Sequence, residues 1–180
     1  MSYDISALKV LFKKIFPPKK CIFTVDSNGD GKTDSLLIKA LNVIMAMEVP
    51  DEIELGGFST KNFDMSTFQL SDYGKMYIDE KPIDVSKEKF DVRSLMDHFS
   101  IYHKGDKFTI EDILAGKLAG RIIALGDYIN ILISIDQESL SNFKEGKHTF
   151  KFESELIPTL EFSFELTKTN LDLKFDPYET

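Results

Sequence analysis

The chain has 180 residues with 22 basic and 30 acidic side chains, a net charge of −8, and is 42% hydrophobic and 29% charged, which fits one folded domain or two very small ones. With 15 Phe and 6 Tyr against only 10 Gly and 6 Pro, it is neither collagen-like, low-complexity nor disordered. The single cysteine, Cys21, excludes an internal disulfide framework and a multi-cysteine zinc site, and no run approaches the roughly 18 apolar residues of a membrane helix.

The first twenty residues set Lys9, Lys13, Lys14, Lys19 and Lys20 against Asp4, a local charge of +4 that leaves −12 on the rest of the chain. Ile5, Leu8, Leu11, Phe12, Ile15 and Phe16 recur at helical spacing, Ser2 and Asp4 are candidate caps, and Pro17-Pro18 stops the run. This predicts an amphipathic helix over about residues 4–16, with 1–20 as a basic head and 21–180 as a single β-rich domain. Lys9, Lys13 and Lys14 would meet an acidic protein face or an anionic membrane surface, unless the apolar stripe packs on the protein's own core and the lysines are simply solvated. An acidic body would repel phosphates, so no nucleic-acid partner is expected. The opening residues lack the apolar run and small-residue cleavage site of a signal peptide, so the expected location is cytoplasmic or reached by a non-classical export route.

The segment from Asp26 to Asp34 fits D-x-N-x-D-G-x-x-D, with oxygen-bearing side chains at positions 1, 3, 5 and 9 around Gly31. Oxygen ligands in alternation suit calcium, a hard cation, and Lys32 at position 7 would offer only its carbonyl. Three carboxylates so close repel one another, so the loop is expected to be loose without a cation. Without a metal, the same Asn-Gly and Asp-Gly signals describe an acidic turn between two strands. Position 12, where an EF-hand carries a bidentate Glu, is Leu37. With Cys21-Ile22-Phe23-Thr24-Val25 before it and Leu36-Leu37-Ile38 after it, the stretch 21–38 resembles the calcium loops of FG-GAP and EF-hand-like repeats. Dockerin loops are similar too, but come in pairs and hold an acid at position 12. The resemblance implies Asp26, Asn28, Asp30 and Asp34 as side-chain ligands of Ca2+. No second copy follows, so the loop chemistry carries over and the repeat fold does not.

Beyond the loop, Leu36 to Met47 is almost continuously apolar and reads as a buried strand continuing the hairpin or as a helix, which periodicity alone does not separate, with a strand that turns helical late the favoured reading. Met45 and Met47 read as core filler. Short runs such as Lys75-Met76-Tyr77-Ile78-Asp79 between Gly56 and Asp84 read as strands and turns, and residues 86–99 and 109–118 as two short helices, the second capped by Thr109 with Asp112. Residues 127–176 alternate: Ile129, Ile131, Ile133 and Ile135; then Phe150, Phe152 and Leu156; then Leu160, Phe162, Phe164 and Leu166; then Leu171, Leu173 and Phe175. These predict antiparallel strands, each with one wet face. The expected fold is therefore mainly β, an antiparallel meander or sandwich, with a few short helices including the N-terminal one.

Conventional catalytic groupings are thin. His98, His103 and His148 lie in unrelated contexts, Cys21 sits in an apolar strand, and the acids Glu153, Glu155, Glu161 and Glu165 fall on a solvated strand face. No phosphate-binding or nucleophile-elbow motif occurs. The stretch Phe108 to Leu118 followed by Ile122 to Asp127 is similar to the helix-then-strand passage of sterol-carrier-type lipid-binding domains, which implies an apolar cavity. The resulting expectation is a calcium-stabilised structural or protein-interaction module without catalytic activity, with a protein partner or self-assembly. The alternative is a small carrier of an apolar ligand.

Overall fold

The computed structural model describes residues 5–55, 58–60, 75–83, 98–153 and 159–178. The first helix, α1, spans Ile5–Ile15 and closes with Lys13 and Lys14 in its last turn, where cations complement the helix dipole. Phe16 N–H still reaches the Phe12 carbonyl at 2.8 Å, and Pro17, which has no N–H, ends the run. Phe12 and Ile15 pack against the core, and Phe16 is 8% exposed with its ring stacked on Phe162 at 4.3 Å. The helix is thus docked on its own protein, while Lys13 and Lys14 face solvent. The candidate caps Ser2 and Asp4 lie outside the described residues.

Most of the remaining regular structure is strand. In chain order it runs β1 (Ile22–Asp26), β2 (Ser35–Leu41), β3 (Met47–Glu48), β4 (Glu54–Leu55), β5 (Phe58–Ser59), β6 (Lys75–Ile78), β7 (Lys81–Pro82), β8 (Phe99–His103) and β9 (Asp106–Thr109). Then come helix α2 (Ile110–Leu114), β10 (Ile122–Ile123), β11 (Tyr128–Ser134), helix α3 (Gln137–Leu140), β12 (Gly146–Glu153), β13 (Leu160–Leu166), a 3-10 turn (Lys168–Asn170) and β14 (Leu173–Lys174). A six-stranded sheet has the order β14-β1-β2-β11-β8-β9 and a four-stranded sheet the order β13-β12-β6-β7. Two short pairs, β10 with β3 and β4 with β5, complete the pairing among the described residues. Every pair is antiparallel except β1 with β14.

The register places the core. Ile22 pairs with Ile38 and Ile38 with Ile131, while Thr24 pairs with Leu36 and Leu36 with Ile133, so these rungs share one face of the larger sheet. That face packs on Ile78, Phe150, Phe162, Phe164 and Leu166 of the smaller sheet in one buried cluster. The opposite face carries the intervening rungs, with Val25, Leu37, Tyr102 and Leu132 forming a second cluster under Leu173 and Phe175. The expected mainly-β fold with short helices is what the chain adopts.

Several local expectations change. The run after Leu36 stays a strand to Leu41 and then loops without turning helical, because the Asn42 amide ties it to the carbonyls of Met45, Ile123 and Ala124. Met45 and Met47 are exposed and not core filler. The strand around Ile131 has no wet face: Asn130 and Leu132 are buried on one side and Ile133 on the other, since the C-terminal segment covers what would have been the solvated side. Leu171 to Phe175 does not extend the meander, because Leu173 and Lys174 pair in parallel with Val25 and Asp26 of β1. The helix expected over 109–118 is one turn shorter, with the Thr109 and Asp112 capping box formed as expected. The helix expected over 86–99 falls mostly outside the described residues, and Phe99 opens β8. Glu155 and Leu156 also lie outside them.

Candidate metal loop

Residues 27–34 connect β1 to β2, whose pairing of Val25 with Ser35 closes the hairpin at its base. The oxygen-bearing side chains fold back on the loop's own backbone. Asp26 accepts from Gly29 N–H through Oδ1 at 2.7 Å and from Gly31 N–H through Oδ2 at 2.8 Å. Asn28 Oδ1 accepts from Asp30 N–H, and Asp30 Oδ1 from Lys32 N–H, each at 2.8 Å, two successive Asx turns. Asp34 Oδ1 takes Ser27 N–H at 3.0 Å and so latches the end of the loop to its start. Gly29 and Gly31 sit at φ +79° and +85°, in the left-handed region where a side chain would be strained.

The burial of the Asp26 carboxylate raises its pKa, but the N–H groups of Gly31 and Gly29 outweigh that and hold it below the usual carboxylate range. The donor set of Asp26, Asn28, Asp30, Asp34 and the Lys32 carbonyl is all oxygen, without nitrogen or sulfur, which fits a hard cation. Among the described residues, no three His, Cys, Asp or Glu side chains converge on a single point. The carboxylates are shared out along the backbone, so binding of a cation by this loop requires them to turn from the N–H groups toward a common centre.

The structure adds residues that the motif does not contain. Thr33 Oγ1 donates to Asp172 Oδ1 at 2.6 Å, and Gln137 Nε2 donates to the Thr33 carbonyl at 2.8 Å. Asp26, Gly31, Lys32, Thr33, Gln137, Asp172 and Lys174 line a surface cleft of about 590 Å³. No spacing rule could have found Asp172 or Gln137, which lie 139 and 104 residues from Thr33 in the chain.

The remaining candidates stay apart. His103 is 2% exposed, with Nε2 at 3.1 Å from Asp127 Oδ2 and Nδ1 facing Arg121, while His148 bridges Asp79 and the Lys144 carbonyl in another sheet. Cys21 is fully buried, and that burial pushes its thiol up to about 12, which suits a small hydrophobe and not a nucleophile. Lys13 and Lys14 lie on the exposed side of α1, and the side chain of Lys9 lies outside the described residues. Among the described residues, no helix is long and apolar enough to cross a membrane. Compared with protein-family models and with curated proteins, the chain matches none.

Proposed function

We propose that the chain is a calcium-stabilised structural or protein-interaction module without catalytic activity, in which Asp26, Asn28, Asp30, Asp34 and the Lys32 carbonyl hold one Ca2+. The observation that carries this reading is the loop's own arrangement. An all-oxygen set of side chains alternates along a turn with two left-handed glycines, between the first two strands of the larger sheet. A cation there would staple the turn that joins β1 to β2. The interaction half of the reading draws on Ile44, Met45, Ile122 and Leu125, each more than half exposed, which the Asn42 hydrogen bonds gather beside the β3–β10 pair. Lys13 and Lys14, with Lys9, offer a basic face for an acidic partner or an anionic membrane surface.

The alternative, a carrier of an apolar ligand, is less favoured because Phe16, Phe150, Phe162 and Phe164 fill the space between the sheets. The test is a melting curve in EDTA and in about 1 mM calcium or magnesium, beside native mass. If calcium binds about a hundredfold below its working concentration, it stabilises by about 2.7 kcal/mol. That amounts to roughly 5–10 °C for a chain of this size. The Asp30→Ala variant should lose that shift. An equal melt in calcium and EDTA with no bound ion would leave the loop an acidic turn, and a co-purified apolar ligand would favour the carrier.

A further inference from the structure

Seven large hydrophobic side chains are exposed among the described residues, and five of them, Ile44, Met45, Met47, Ile122 and Leu125, sit on two neighbouring stretches. Met47 pairs with Ile123, Glu48 with Ile122 and Leu41 with Tyr128, which sets the loop after β2 beside the turn between β10 and β11 at one end of the larger sheet. Residues 40–47 and 122–126 carry no charged side chain. The one polar side chain in these two stretches, Asn42, is 8% exposed and is spent on the loops themselves.

Two properties of this tip select its partner. The groups that shape its backbone are paired within it: Asn42 N–H donates to the Asp127 carbonyl and Gly126 N–H to the Asn42 carbonyl, each at 2.8 Å. Ile44 N–H reaches Asn42 Oδ1 at 3.2 Å, and Ala124 N–H reaches Asp127 Oδ2 at 2.8 Å. Loops closed in this way suit a medium that offers no hydrogen bonds. A protein interface, by contrast, carries about one hydrogen bond per 100–200 Å², and the exposed apolar side chains here offer none. The charges begin where the two stretches end, and they come in both signs. Lys39, Glu48, Arg121 and Asp127 flank the stretches, with Lys104 at 2.9 Å from Asp127 and Arg121 at 2.6 Å from Asp106. That mixture complements the phosphate and ammonium of a zwitterionic headgroup, while the net charge of −8 opposes an anionic surface.

We propose that residues 40–47 and 122–126 form a lipid-docking tip: Ile44, Met45, Ile122 and Leu125 enter the acyl boundary of a zwitterionic phospholipid surface, while Lys39, Glu48, Arg121 and Asp127 stay among the headgroups. The tip rests on the interaction half of the proposed function, which gives this face a partner, and not on calcium. Because Asn42 and Asp127 already hold the two stretches, insertion needs no rearrangement of them, and binding follows the apolar area buried and not opposite charge.

The test is sedimentation of the whole chain with vesicles of phosphatidylcholine, alone and with about one third phosphatidylserine, at low and at high salt, beside native mass. The wild type should bind the neutral vesicles at either salt, and the anionic ones more weakly at low salt, where the acidic chain is repelled. Met45→Asp and Leu125→Asp, at positions more than half exposed and outside the core, should each weaken binding at least about tenfold. Val10→Asp, at an exposed apolar position on α1, should leave it unchanged. Binding that survives both tip substitutions, or binding to anionic vesicles alone that high salt abolishes, overturns the tip, the latter in favour of Lys13 and Lys14. Failure to bind any vesicle, with a native-mass dimer that Leu125→Asp disperses, overturns the lipid partner alone. Failure to bind in a chain that is monomeric at every concentration overturns the interaction reading of this face with it.

Discussion

Phe16→Ala decides whether the basic N-terminal segment is part of the folded core or a detachable arm. The ring is 8% exposed, lies flat on Phe162 at 4.3 Å with 4° between the planes, and belongs to the cluster shared by both sheets. The segment behind it is held as well: Glu165 N–H donates to the Pro18 carbonyl at 2.7 Å, and the Asn170 amide to the Lys19 carbonyl at 3.1 Å. Truncating a buried Phe to Ala costs about 3–5 kcal/mol, and with the backbone anchors intact the site collapses only in part, so about 3–4 kcal/mol is expected. For a chain of this size that is roughly 6–16 °C in melting temperature. It is also a large share of the 5–15 kcal/mol that typically separates folded from unfolded. Urea unfolding followed by circular dichroism measures it, the chain having no Trp to report by fluorescence. The slope m should stay at its wild-type value, and Phe16→Leu should lose only about 1–1.5 kcal/mol. A loss below about 1 kcal/mol for Phe16→Ala at unchanged m would refute the docked helix and restore Lys9, Lys13 and Lys14 to an independent basic arm.

Two further outcomes follow from polar groups. The Lys104 ammonium at 2.9 Å, with the Ala124 N–H and His103, outweighs partial burial and holds the Asp127 carboxyl at about 2. A carboxyl depressed by folding stabilises above its unfolded value near 3.8 and loses that contribution as pH falls toward 2. Urea midpoints should therefore drop between pH 4 and 2, and Asp127→Asn should flatten that drop while lowering stability at pH 7. Asn42→Ala should cost about 2–3 kcal/mol, measured the same way, because the 8% exposed amide serves the Met45, Ile123 and Ala124 carbonyls and accepts Ile44 N–H. Equal stability of that variant would mean that water replaces all of these bonds.

How much was legible depended on how local the cause is. The strand Leu160–Leu166 could be read residue by residue, since Phe162, Phe164 and Leu166 are buried while Glu161 and Ser163 face water. The strand Tyr128–Ser134 has the same alternation of large apolar residues, yet its second face is covered by a segment some forty residues downstream, which no window around Asn130 contains. The helix over Ile5–Ile15 was legible from its apolar spacing and Pro17. Its docking was not, since it depends on Phe162 and Glu165. The loop from Asp26 to Asp34 was visible because its ligand-type residues lie within nine positions, whereas Thr33, Gln137 and Asp172 meet only after the sheets have formed.

By itself, then, the sequence determined the β-rich class, the N-terminal helix with its proline stop, the Thr109 cap and the oxygen-lined turn between the first two strands. These follow from periodicity, backbone chemistry and spacing within a dozen residues. The tertiary structure decided which strands share a sheet, the parallel seat of Leu173 and Lys174 beside β1, the burial of both faces of β11, and the hydrogen bond from Thr33 in the loop to Asp172. Those choices are set by which distant surfaces exclude water from one another, and a linear pattern of apolar residues states that a face must be covered without stating by what.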